Sequence, residues 1–477
     1  MNKTSIKRLI SPSIGLAFIA NLVFSVSVSA NQQPIDKFAD NERIVFLGDS
    51  ITHGGSYHQN IFLFNATRYP NKQIRYYNAG VSGDTAHGAI ARFTQDVAYY
   101  QPTVTSIMLG MNDNLSHLYK QPIQTREAQE QLRQKQKKVR QKYLSNMQTL
   151  IERLNAIKSK VILIKPSIYD ETVQSKTPAL YGKNAELINY GNQLEILATK
   201  NNAQIVDVQT PMLAINRLLQ QTDASATIVS QDRVHPETAG HFVIFYAFLT
   251  AQNESKYIND FRLDAQTGKI IRFNNCDLQG RIQVQKDNVR FSCKSHSLPF
   301  PITTEQAPAT KWVPFMQNFN QQYLKVTNLS AGRYQLLIDG QSVAQYRSTA
   351  LAAGINLAVN DNTPMYQQAL RVKKLNDKIA EQTDIIRTVM HVKYRILAGY
   401  PKLNKQDPDA VKAALLKHVK NAEGKPWHPY LTKQVDKYFN TADKFAQAQS
   451  KIERLFEQIY QVNQPNTHEW QLVKLAD

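Results

Sequence analysis

Cysteine is almost missing from this chain: 477 residues contain two, Cys276 and Cys293. Their spacing fits no metal motif, and neither CxxC nor HExxH occurs, so a thiolate or zincin metal centre is excluded. Long apolar runs are missing as well. After the first thirty residues no segment holds the ~18 uninterrupted apolar residues that a spanning helix needs. Internal repeats and low-complexity tracts are absent. Acidic residues are scarce beside basic ones, 38 Asp and Glu against 57 Lys and Arg, for a formal charge of +19. That imbalance favours anionic surroundings such as nucleic acid, acidic polysaccharide or a membrane surface, and does not choose among them.

What the N-terminus does contain narrows the compartment. Lys3, Lys7 and Arg8 precede an apolar stretch over about 14–28, and Val28-Ser29-Ala30 supplies small residues at cleavage-site spacing. Residues 1–30 read as a secretory signal peptide, 31–41 as a polar leader, and the mature protein as exported, periplasmic or secreted. The alternative, an uncleaved anchor, is disfavoured because the run is short and Ser-rich. In an exported protein Cys276 and Cys293 are expected to form a disulfide, worth roughly 3 kcal/mol in the chain-entropy model; the alternative is two unpaired buried thiols.

From residue 42 to 252, short β-like runs (43–47, 74–78, 104–109, 161–164, 205–208) alternate with helical spacing (86–99, 125–157, 184–200). Such alternation predicts a parallel sheet covered by helices on both faces, with its ligand site beyond the carboxyl ends of the strands. The helix near 126–160 carries Arg133, Lys135, Lys137, Lys138, Arg140 and Lys142. These form either a solvated face or a docking surface for an anionic polymer. Residues 253–360 read as a β-rich accessory segment of two small sheets, with Gly280 and Asp287-Asn288 as turns in the first. Residues 361–477 read as a helical C-terminal region.

Four stretches lie where such a site would form: Gly48-Asp49-Ser50, Gly80-Val81-Ser82-Gly83-Asp84, Gly110-Met111-Asn112-Asp113 and Asp232-Arg233-Val234-His235. A serine hydroxyl attacks only when a base takes its proton, and the base works best when a carboxylate fixes its tautomer. Ser50 is the candidate nucleophile, His235 the general base and Asp232 its orienter. The oxyanion of a tetrahedral intermediate needs donors already in place. The backbone N–H groups of Ser50 and Gly83 and the amide of Asn112 are the candidates. Taken alone, Ser50 could equally cap the following helix. Ser82 lacks a GxSxG elbow and reads as structural. Asp49 and Asp113 read as structural too. His53, His58 and His87 are either substrate contacts or ordinary polar residues, and Tyr57, Phe62, Phe64 and Tyr69 either core or contacts.

GDSIT, NAGVSGDT, GMND and DRVHP, in this order over about 190 residues, resemble the four sequence blocks of the SGNH/GDSL hydrolase family. The resemblance covers roughly 42–251. It implies a flavodoxin-like α/β/α sandwich and a cofactor-free serine esterase. It matches the family's serine to Ser50, its glycine to Gly83, its asparagine to Asn112, and its aspartate and histidine to Asp232 and His235. The rest of the chain looks more loosely like the C-terminal extensions of larger exported bacterial members. The expected activity is removal of short acyl groups, acetyl foremost, from a carbohydrate or other polar ester, with contact to an anionic envelope polymer as a further expectation. An O-acyltransferase acting on a cell-envelope polymer shares the same acyl-enzyme. A polymer-binding or scaffolding protein is the reading of another class. No nucleic-acid partner is expected, since no recognised module accompanies the charge.

Overall fold

Ile44–Leu47 is apolar at every position, which a strand buried on both faces requires. In a computed structural model that describes residues 33–120, 125–285 and 287–476, this run is the core of β1 (Arg43–Gly48). The expected signal peptide lies outside the described residues. After β1 come α1 (Ser50–Gly54), α2 (Tyr57–Arg68), β2 (Arg75–Gly80), α3 (Ala86–Asp96), β3 (Val104–Met108) and α4 (Arg126–Ala156). Then follow β4 (Lys160–Ile164), α5 (Lys183–Asn201), β5 (Gln204–Val206), α6 (Gln209–Gln220) and α7 (Thr238–Ala251).

The strands form one parallel sheet in the order β2-β1-β3-β4-β5, flanked by the helices as an α/β/α sandwich. This is the flavodoxin-like order. Gly48 lies opposite both Gly80 and Met108, so β1, β2 and β3 end level and their loops open on one side. Helix α2 had no expected counterpart. Tyr57, Phe62 and Phe64 on it are core residues, and half-buried Tyr69 just beyond it donates its hydroxyl to Glu254. On α4 the basic residues 133, 135, 137, 138 and 142 are exposed, and burial begins at Tyr143.

The accessory segment departs from expectation at three points. It comprises β6 (Tyr257–Asp264), β7 (Ile270–Asn274), β8 (Cys276–Gln285), β9 (Asn288–Ser295), α8 (Phe315–Phe319), β10 (Gln321–Thr327), β11 (Arg333–Ile338), β12 (Gln341–Arg347), α9 (Ser348–Ala353) and β13 (Ile355–Asn356). The strands do not form two consecutive sheets. They interleave as β13-β10-β6-β7 and β12-β11-β14-β9-β8, where β14 (Thr467–Lys474) comes from the end of the chain. Gly280 lies at a break in register within β8 rather than at a turn between strands. Cys276 and Cys293, the expected disulfide pair, are free thiols here. Cys276 faces Ser295 and Cys293 faces Leu278, so the two are diagonal across the ladder. The two thiols still meet across that diagonal: a hydrogen bond with Cys293, together with burial, pushes the Cys276 thiol up.

The remaining helices are α10 (Pro364–His391), α11 (Pro408–Lys420), α12 (His428–Thr441) and α13 (Phe445–Val462). Helices α10 and α13 cover the sheet at its edge strand β2. Tyr76 donates to Asn376 Oδ1, Tyr460 to the Ile74 carbonyl and Tyr77 to Glu453, while the Phe456 ring packs on Phe62 and Tyr76. No described helix is long and apolar enough to cross a membrane.

Candidate active site

Gly48 ends β1 because nothing larger fits: a Cβ there would lie 2.1 Å from Thr52 Oγ1. Asp49 caps α1, its Oδ1 accepting the Ile51 N–H at 3.0 Å. The capping role considered for Ser50 therefore falls to Asp49, and the serine hydroxyl is left for other work. Ser50 Oγ lies 2.7 Å from His235 Nε2, and His235 Nδ1 lies 2.6 Å from Asp232 Oδ2. The other carboxylate oxygen of Asp232 accepts the N–H groups of Val234 and His235, so one short loop both carries and aligns the pair.

That loop is stiffened by a residue without a sequence signal. Arg233 sits at φ 73°, buried, and its guanidinium donates to the carbonyls of Thr177, Asp170 and Val173. A second tie is the Ser230 N–H to the His235 carbonyl at 2.7 Å.

Gly83 has φ +75°, a conformation that L side chains rarely adopt. Asn112 donates one amide hydrogen to the Asp84 carbonyl at 2.8 Å, which fixes the group and leaves its second hydrogen free to serve a ligand. Asp113 accepts the Ala86 N–H and so secures the start of α3, as a structural residue would. Beneath these loops runs a buried chain of alternating charge, Asp84–Arg92–Asp96–Arg387, with contacts of 2.6 to 2.7 Å. Arg92 also donates to the Gly48 carbonyl, and Arg387 brings α10 into the chain.

The other candidates separate cleanly. His58 is fully buried, with Nε2 at 3.0 Å from the Thr52 carbonyl, and is a core residue. His87 is exposed on the first turn of α3. His53 accepts the Ser82 N–H at Nδ1 at 3.1 Å, and the Ser82 hydroxyl lies 3.2 Å from the same nitrogen. Ser82 in turn accepts a hydrogen bond from Tyr430 on α12 at 2.8 Å. Among the described residues no cluster of His, Cys, Asp or Glu could hold a metal ion.

The GDSL-like Lipase/Acylhydrolase family model matches residues 46–242. A gut microbial diltiazem-metabolizing enzyme of known structure is 30% identical, covers 93% of this chain and is itself covered over 100%, with a TM-score of 0.82. The chain belongs to the GDSL-like lipase/acylhydrolase family. An acetylxylan esterase from Geobacillus stearothermophilus is 28% identical over 228 residues, 45% of this chain and 94% of the relative. Its crystal structure aligns at 26% identity over 46% of this chain and 97% of that chain, with a TM-score of 0.36. The diltiazem-metabolizing enzyme thus parallels nearly the whole chain, and the acetylxylan esterase less than half of it.

Electrostatics in this GDSL serine esterase push neighbouring groups in opposite directions. Burial lowers the affinity of His235 for its proton, but the hydrogen bond and charge of Asp232 outweigh it and hold the imidazole above its usual 6.5. Burial also opposes ionisation of Asp232, and its bonds to His235 and Ser230 overcome this, leaving it well below the usual carboxylate range. Asp49 and Asp113 are raised by burial to about 6 and about 7, each further disfavoured as an anion by the carboxylate of Asp84. Lys183, buried near them with its ammonium on the carbonyls of Met111 and Asn114, is lowered by burial to about 8.

Proposed function

We propose that this chain is an exported esterase that removes short acyl groups, acetyl foremost, from a carbohydrate through an acyl-serine intermediate on Ser50. The observation that carries the reading is the continuous relay from Asp232 through His235 to Ser50, at 2.6 and 2.7 Å. Export rests on the N-terminal sequence, and the sugar ester on the resemblance to an acetylxylan esterase.

In the first step Ser50 Oγ bonds to the ester carbon while its proton passes to His235 Nε2. Negative charge moves onto the carbonyl oxygen, toward the N–H groups of Ser50 and Gly83 and the free hydrogen of Asn112. The C–O bond to the sugar then breaks, and His235 returns the proton to the departing alcohol. Water repeats the cycle: it loses a proton to His235, attacks the acyl carbon and releases the carboxylic acid with Ser50 restored. The side chains of His235 and Asp232 are 46% and 49% exposed, so water reaches the base directly. That openness favours hydrolysis over transfer to another alcohol.

Two measurements test the reading. Acetate released from acetylated xylo-oligosaccharides by the protein is expected to vanish with Ser50→Ala. Equal release by both proteins, or transfer of acetyl to a glycan acceptor in excess of release, would refute it. For kcat/KM on an activated aryl acetate, we expect a rising acid limb with its midpoint above ~6.5, because His235 must lose its proton and Asp232 resists that loss. Asp232→Asn should move the midpoint downward; a profile flat from about pH 5 to 9 would remove His235 as the base.

A further inference from the structure

The space that Gly83 leaves by lacking a side chain is bordered by the C-terminal region. A Cβ on Gly83 would lie 3.3 Å from Arg395 Nη2 and 3.6 Å from its Nε. Arg395 is exposed, and no carboxylate is recorded in an ion pair with it among the described residues. A guanidinium presents a planar fork of donors that matches a carboxylate, and this one is offered to solvent beside an active-site loop.

Its position is built, not incidental. Residues Val392–Ile396 form a π-helical turn that continues α10, an irregularity frequent at functional sites. Eight residues earlier Arg387 locks the helix to Asp96 with two hydrogen bonds, at 2.9 and 2.6 Å. One turn before Arg395, His391 packs its ring against His53 and Tyr430, each at 6.0 Å, and Tyr430 reaches Ser82 beside Gly83. The surrounding stretch, 392–444, carries 11 Lys and Arg against 5 Asp and Glu. A negatively charged substrate would therefore be drawn to this wall and meet Arg395 at the reacting end.

We propose that Arg395 is a specificity-determining residue that selects esters bearing a carboxylate on the alcohol side, an acidic sugar being the natural form. The inference rests on the reading above, in which Gly83 faces the reacting carbonyl. An acetyl group has no room for a charge, so the anion must belong to the alcohol. Stabilising the oxyanion itself is the lesser role for Arg395, because such donors work in a site that excludes water and this guanidinium is open to it.

The test compares 4-acetoxybenzoate with 4-acetoxybenzamide, which differ in charge, using the full chain and its Arg395→Gln and Arg395→Lys variants. The native protein should prefer the anionic ester, and Arg395→Gln should cut that preference about 10-fold, chiefly through KM, as loss of one charged hydrogen bond does. Arg395→Lys should keep part of it. Salt at ~1 M, where charges are screened within ~3 Å, should lower the native preference more than that of Arg395→Gln, whose residual preference comes from the rest of the basic wall. An unchanged ratio in Arg395→Gln overturns the inference, and so do equal losses on both esters, which would place the guanidinium on the oxyanion. Failure of the native protein to hydrolyse either ester would instead bring down the esterase reading on which the inference stands.

Discussion

Replacing His235 with alanine is expected to lower kcat by roughly four to six orders of magnitude with little change in KM, as loss of the base from a serine relay does. The reason is geometric. His235 Nε2 is the only base recorded within hydrogen-bond distance of Ser50 Oγ among the described residues, at 2.7 Å, so no neighbour can take over the proton. Asp232→Asn should be milder, about 10⁴-fold, because the imidazole stays in place in the wrong tautomer. Asparagine keeps an oxygen for the N–H groups of Val234 and His235, so the loop should hold its shape. Steady-state kinetics on an aryl acetate, with circular dichroism to verify folding, decides the matter. A His235→Ala protein that keeps a tenth of its kcat would show that another group is the base.

Substitution of Arg387 should have the largest effect on stability. Arg387 and Asp96 are both fully buried, and Asp96 also holds Arg92, which holds Asp84. The four side chains are balanced in charge. Removing one cation leaves an uncompensated carboxylate in the interior, at a cost of about 3–5 kcal/mol. Arg387→Met, which preserves bulk, is therefore expected to lower the urea midpoint of the first unfolding transition by that equivalent. Adding Asp96→Asn to Arg387→Met should recover part of the loss, since the two sites are directly coupled. A loss below about 1 kcal/mol would mean that Asp96 is satisfied by Arg92 alone. The damage should also reach catalysis, because Arg92 and Arg387 both donate to carbonyls at the ends of β1 and β2, which lead into the loops of Ser50 and Gly83.

Most of the sandwich was legible because its signals are local. Short β-like runs became β1, β3 and β4, and the periodic segments became α3, α4 and α5 within a few residues at each end. Helix α2 was not, because apolar residues surround it and the periodic pattern is lost when nearly every position is buried. Strand β14 was missed for another reason. Its alternation of buried and half-buried residues is short, follows a long helical stretch, and gains its hydrogen bonds from strands more than a hundred residues earlier.

The proton relay and the wall beside it differ in the same way. Asp232 and His235 are three positions apart on one loop, and Gly48-Asp49-Ser50 joins a strand to a helix, so residue type and spacing alone point to a serine, a base and an orienting acid. Sequence likewise determined the parallel sheet and the loops that bear the site. Only the tertiary structure decided that Asp49 rather than Ser50 caps α1, that Cys276 and Cys293 lie diagonal to each other, and that Arg387, Arg395 and Tyr430 close over Gly80–Asp84 from some three hundred residues away. Contacts across that distance leave no trace in periodicity or spacing, because each partner's choice is set by packing that exists only once the chain has folded.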